Sequence, residues 1–152
     1  MTCPAAGAHA HDLQRARIVG VVDSLLAALV EEQLGSVVFV MDYVQLDFTN
    51  ARFSAYVWPT VTIGTTRRRF GDPGYRDALC ALIAHEVIAT QESADAGLVI
   101  RFKPGEIVVN PEPADLGGPE IAMLTIEEGP FRDAAWMVWR PGEGVFANRD
   151  WS

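Results

Sequence analysis

His85-Glu86 opens like a zinc-binding helix signature. In that signature a second histidine, three residues past the glutamate, brings both imidazoles onto one helix face. Ala89 stands at that position, so the pair closes no site. His85 reads instead as a polar residue near the negative pole of a helix end. Cys3, His9, His11 and Asp12 also have ligand chemistry, but their Cys-x5-His-x-His spacing matches no established zinc pattern. Asp42-Tyr43 sets a carboxylate beside a phenol. Such a pair can do general acid–base work, although an aspartate at a junction between strands commonly shapes a turn. Arg67-Arg68-Arg69 offers three planar forks for a phosphate or carboxylate. No glycine-rich phosphate loop accompanies it, and the same residues read as a solvated loop before a helix. Ser24, Ser36, Ser54 and Ser93 lack nucleophile-elbow glycines. Two of the three histidines fall in the first eleven residues, so a nucleophile–histidine dyad would depend on His85.

Trp58, Trp136, Trp139 and Trp151 complete the chemically interesting set. Trp136 and Trp139, three apart on a strand, face opposite sides. One of them is therefore expected at the surface, and an exposed tryptophan beside Arg140 suits a protein interface. The candidate interface or pocket residues are Asp42, Tyr43, Trp58, Arg67, Arg68, Arg69, His85, Trp136, Trp139 and Arg140. None is assigned to catalysis, to a cofactor or to a metal.

The elements that must hold these residues follow from periodicity. Val44, Leu46 and Phe48 alternate with Gln45 and Asp47, giving a strand with one dry face. Thr49-Asn50-Ala51 then leads to a second β-rich run over 52–58, so 37–59 reads as strands around a hairpin. Upstream, residues 1–11 read as a flexible tail. Asp12 caps a helix that carries Leu25, Ala28 and Leu29 on its apolar face and stops at Gly35. Residues 61–65 continue the sheet after Pro59. Asp72-Pro73 starts a second helix, expected to run to about His85 and to bury Leu79, Leu82 and Ile83. A second hairpin, 98–102 with 106–110, turns at Lys103-Pro104-Gly105. The proline- and glycine-bearing stretch 111–119 is a loop. Strands are expected over 120–126 and 135–140, the latter pairing with 144–148 across Pro141-Gly142-Glu143.

Sliding the chain by 54 residues lays 23–59 on 77–113 without a gap. Asp23, Leu25, Ala27, Glu32, Phe48 and Pro59 then meet identical residues. Helix period gives way to strand period at the same point in both copies. The match fades where apolar 37–41 meets polar 91–95, so any strand there in the second copy is expected to be shorter and further upstream, near 87–90. The fold class read from these signs is α+β. It has one antiparallel sheet of about seven or eight strands in two pseudo-symmetric halves, packed by two helices, and a single domain over 12–152.

Composition narrows the partners. The 152 residues carry a net charge of −8 and are 49% hydrophobic, which describes a folded acidic chain. Nucleic acid and anionic membrane surfaces are disfavoured, because phosphate contacts need clustered basic residues. Eleven of the twelve basic residues are arginine. Cys3 and Cys80 read as free thiols in a reducing cytoplasm, with Cys80 as a small buried hydrophobe. No signal peptide or spanning segment is recognised.

The run 42–48, Trp58-Pro59, Tyr75-Arg76-Asp77-Ala78-Leu79, Gly118-Pro119-Glu120-Ile121-Ala122 and Trp136-x-Val138-Trp139 resembles small uncharacterised bacterial proteins, many of them actinobacterial. Some relatives of that kind are thought to be immunity proteins of toxin systems. The resemblance implies no catalytic residue. The expectation is a cytoplasmic, non-enzymatic protein-binding module, immunity-type, with acidic residues around an exposed aromatic. A homo-oligomeric structural protein is one alternative. The other is a small enzyme or ligand-binding domain whose pocket gathers Asp42, Tyr43, Arg67–Arg69 or His85.

Overall fold

A computed structural model describes residues 25–116, 118–126, 135–141 and 148–150. Among the described residues, eleven strands form two antiparallel sheets. The first sheet has the order β1 (Leu34–Val40), β2 (Tyr43–Phe48), β3 (Ala51–Ala55), β9 (Ala122–Ile126), β10 (Ala135–Trp139), β11 (Asn148–Asp150). The second has the order β5 (Thr66–Arg68), β4 (Thr60–Ile63), β8 (Gly105–Val109), β7 (Gly97–Phe102), β6 (Val87–Ser93). This overturns the α+β reading of one sheet packed by two helices. The described residues hold a single six-residue α-helix, α1 (Tyr75–Cys80), and short 3-10 turns at Leu25–Leu29 and Pro113–Asp115.

The described end of the first expected helix departs from a long helix for a local reason. Leu26 and Leu29 are the buried pair in the 3-10 turn, an i, i+3 spacing, while Ala28 is exposed. Glu31 then takes a left-handed backbone (φ 79°), reversing the chain, and Leu34 begins a strand instead of ending a helix. The second helix is shorter than its pattern suggests. Asp72 does not cap it: its carboxylate accepts the Arg69 N–H at 2.7 Å, and Gly74 occupies the cap position. Cys80 is exposed, not buried. The tail, residues 12–24 of the expected first helix, 144–147 of the last expected strand, and Trp151 lie outside the described residues.

The two sheets are built alike. β1–β2–β3 and β6–β7–β8 are successive antiparallel units, and β1 and β6 share one burial pattern, each with only its first residue buried. Leu34 pairs with Phe48 and Val87 with Phe102, and an irregularity in the register follows both pairs. β6 is therefore as long as β1, not shorter. As an edge strand it keeps only its start in the core, so the polar Gln91, Glu92 and Ser93 cost little there. The halves differ by one residue in a turn. Met41-Asp42 joins β1 to β2, whereas three residues precede Gly97, whose φ of 74° suits a three-residue turn.

Each half lends a hairpin to the other sheet. After β3 the chain crosses at 56–59, and β4–β5 pairs with β8; after β8 it crosses at 110–121, and β9–β10 pairs with β3. Residues 61–65 thus open the second sheet and do not extend the first. α1 rests on β4 and β1, and the Leu25–Leu29 turn rests on β6 and β9, so each caps one edge strand and one exchanged strand. Both sheets feed one core, with Phe53, Leu46 and Leu124 from the first and Ile100, Ile107 and Leu98 from the second fully buried. Burying each such side chain stabilises the fold by roughly 1.5–3 kcal/mol.

Candidate functional site

The two crossings run beside one another, tied by the Tyr56 N–H donating to the Ile121 carbonyl at 2.8 Å. Between them and the neighbouring strand ends lies a cleft of about 930 Å³. One wall comes from the first sheet and the second crossing: Asp42 and Tyr43 at the β1–β2 turn, Tyr56, and Glu120. Arg67, Arg69 and Phe70, on and just past β5, come from the second sheet. Trp58 sits on the first crossing, and Asn110, Glu112 and Asp115 lie along the second.

Strand alternation divides the arginine triplet. Thr66–Arg68 is β5, not a loop, so successive side chains leave on opposite faces. Arg67 and Arg69 line the cleft. Arg68 turns away, and its Nε donates to the Pro73 carbonyl at 3.2 Å.

Aromatic contacts shape the cleft. Trp58 and Phe70 are stacked, with centroids 4.3 Å apart and planes at 15°, and Phe70 meets Tyr75 edge-on at 5.8 Å. Phe70 is nevertheless 49% exposed. Buried Tyr75 donates its hydroxyl to the Pro59 carbonyl, which pins the first crossing to α1. Arg76 lies over Phe39 at 5.4 Å and near Phe70 at 5.9 Å. Tyr43 and Tyr56 face one another at 5.1 Å with planes tilted by 47°. Burial pushes the Tyr56 phenol up from its ordinary range; the Ser54 hydroxyl partly offsets this, and the charges of Glu120 and Tyr43 add to it. Tyr56 is thus a neutral hydroxyl near pH 7, able to donate but a poor base.

Of the sequence candidates, Asp42, Tyr43, Trp58, Arg67 and Arg69 converge here. The others lie apart. His85 is exposed and contributes its backbone carbonyl to the Leu34 N–H at 3.0 Å. Trp139 is buried in the core, so it is not the surface tryptophan of the pair. Arg140 is half-buried just past β10, and the side chain of Trp136 lies outside the described residues. Tyr56, Phe70 and Glu120 were not singled out from sequence. Strand alternation does not place Phe70, which lies past the end of β5, and Glu120 joins the cleft only through the crossing. Among the described residues, the cleft lining includes no histidine, cysteine, serine or lysine. Among the described residues no group of three or more His, Cys, Asp or Glu is placed to hold a metal ion, and no helix is long and apolar enough to cross a membrane. No protein-family model, no curated protein and no solved structure matches the chain.

Proposed function

We propose that the chain is a non-enzymatic protein-binding module whose recognition site is this cleft, of the immunity type in which an acidic surface engages a basic partner. The observation that carries it is the half-exposed Trp58–Phe70 stack in a cleft with four carboxylates, Asp42, Glu112, Asp115 and Glu120, against two arginines. Aromatic anchors in a concave patch are the usual centres of binding energy, and surrounding charge steers and selects the partner. The net charge of −8 points the same way.

A catalytic pocket is the second reading, because four of the residues it needs do converge. The chemistry favours binding. Among the described residues the lining offers no nucleophile paired with a base, and the phenol that is perturbed is held protonated.

Selection of a random peptide display library on the full-length chain tests the proposal. Enriched peptides are expected to bind the unaltered protein and to lose about tenfold or more on Phe70→Ala, the cost of removing a central aromatic anchor. Circular dichroism verifies that the variant is folded. Peptides that bind the folded variant equally well would overturn the reading.

A further inference from the structure

Opposite charges line the cleft without pairing among the described residues. Asp42 and Glu120 have no hydrogen-bond or ion-pair partner among the described residues, and neither do the guanidiniums of Arg67 and Arg69. Ion pairs elsewhere in the chain do close. Asp47 and Arg52 meet at 2.9 Å, and Arg101 and Glu106 at 3.1 Å. The charges of the cleft are therefore carried on separate elements and left unpaired among the described residues. Asp42 sits on the β1–β2 turn, Glu120 on the second crossing, and Arg67 and Arg69 on and beside β5. The Tyr43–Tyr56 pair lies at the carboxylate end, where ring faces favour a cation. The guanidinium forks of Arg67 and Arg69 match a carboxylate.

Resting on the module reading above, we infer that the cleft takes a peptide segment carrying both signs of charge. A lysine or arginine of the partner lies over Tyr43 and Tyr56 between Asp42 and Glu120, and an acidic side chain or chain-terminal carboxylate of the same segment is held by Arg67 and Arg69. The net acidity of the cleft makes the cationic contact the entry point, and the arginines fix the direction in which the segment lies. A segment with only basic residues meets Arg67 and Arg69 unfavourably, so the two ends together exclude indiscriminately basic partners.

The test is amide-resolved NMR titration of the full-length chain with three capped single residues: acetyl-arginine amide, acetyl-citrulline amide and acetyl-glutamate amide. The arginine probe is expected to shift the amides of Asp42, Tyr43, Tyr56 and Glu120. The glutamate probe is expected to shift those of Arg67, Arg69 and Asn110. Citrulline, the neutral isostere, leaves the first set unmoved. Asp42→Asn with Glu120→Gln weakens the arginine probe by about two- to fivefold, the size of an exposed cation contact, and leaves the glutamate probe unchanged. Arg67→Gln with Arg69→Gln does the reverse. Citrulline shifts equal to those of arginine, either probe settling at the other end, or no response to any probe would overturn this inference. Library peptides that still depend on Phe70 would in that case leave the module reading standing, so the two failures are distinguishable.

Discussion

Gln33 and Glu86 face one another as an isolated antiparallel bridge, joining the starts of the edge strands of the two sheets. The backbone around them is reciprocal. The Glu31 N–H donates to the Val87 carbonyl at 2.8 Å and the Ala84 N–H to the Leu34 carbonyl at 2.8 Å. The Leu34 N–H donates to His85 and the Val87 N–H to Glu32, both at 3.0 Å. Each of these backbone bonds made by one half is answered by the other, and the Gln33 side-chain amide adds a bond to the Ala84 carbonyl at 3.0 Å. The junction therefore locks the sheets where the core residues Leu34 and Val87 enter.

Glu31 and Ala84 hold the turns that permit this, with φ of 79° and 80°. A left-handed backbone costs an L-residue about 1–2 kcal/mol, and glycine returns part of that as lost chain entropy. Glu31→Gly and Ala84→Gly are each expected to raise stability by up to about 1 kcal/mol, and by similar amounts. Urea denaturation of both variants reads the effect; loss of stability in either would show that its turn is not under this strain.

Gly105 and Gly97 have no such latitude. A Cβ on Gly105 would lie 2.0 Å from the Thr62 carbonyl oxygen of β4, and one on Gly97 would lie 2.3 Å from that of Val109. Gly105→Ala must push the exchanged strand β4 off β8, and is expected to cost about 1–3 kcal/mol or more. Gly118→Ala, which meets nothing within 4 Å, serves as the neutral comparison by thermal melting.

Tyr75→Phe removes the donor to the buried Pro59 carbonyl and is expected to cost about 1–3 kcal/mol. Burial, opposed in part by Arg76, pushes the Tyr75 phenol well above its ordinary value of 10.0. The folded state therefore keeps the proton that the unfolded chain releases. The associated stability is fully present below pH 10.0 and is lost as pH rises through the folded value. Stability against pH is expected to fall more gently as pH rises above 10.0 in Tyr75→Phe than in the unaltered chain. Equal slopes would contradict the assignment.

The hairpins carry ion pairs at matching places with the polarity reversed, Asp47–Arg52 in one and Arg101–Glu106 in the other. Both are partly exposed, so each double-mutant cycle is expected to give a coupling of only about 0.2–1 kcal/mol, shrinking with salt. Asp47 is further engaged by Ser36 and Gln45, at 3.2 Å each, so its single substitution costs more than the pair energy alone. A coupling well above that range would show that these pairs anchor the hairpins.

Much of the strand architecture was legible because its cause is local. The alternation of Val44, Leu46 and Phe48, repeated in Leu98, Ile100 and Phe102, dictates a strand with one buried face in any packing. The turns after Phe48 and Phe102 follow from the same local chemistry. Helix length was misread at 25–34 and 72–85, because one or two apolar turns produce the same spacing as a long helix.

The amino-acid order by itself determined two similar strand units, their dry faces, and an acidic chain whose charged residues sit largely outside those faces. Tertiary structure alone decided that the units exchange hairpins across two sheets, since register and partner choice depend on contacts far apart in the chain. It alone gathered Asp42, Tyr56, Glu120, Arg67 and Arg69 around one cleft, because a cleft between crossings exists only once both sheets have formed. No periodicity along the chain encodes that meeting.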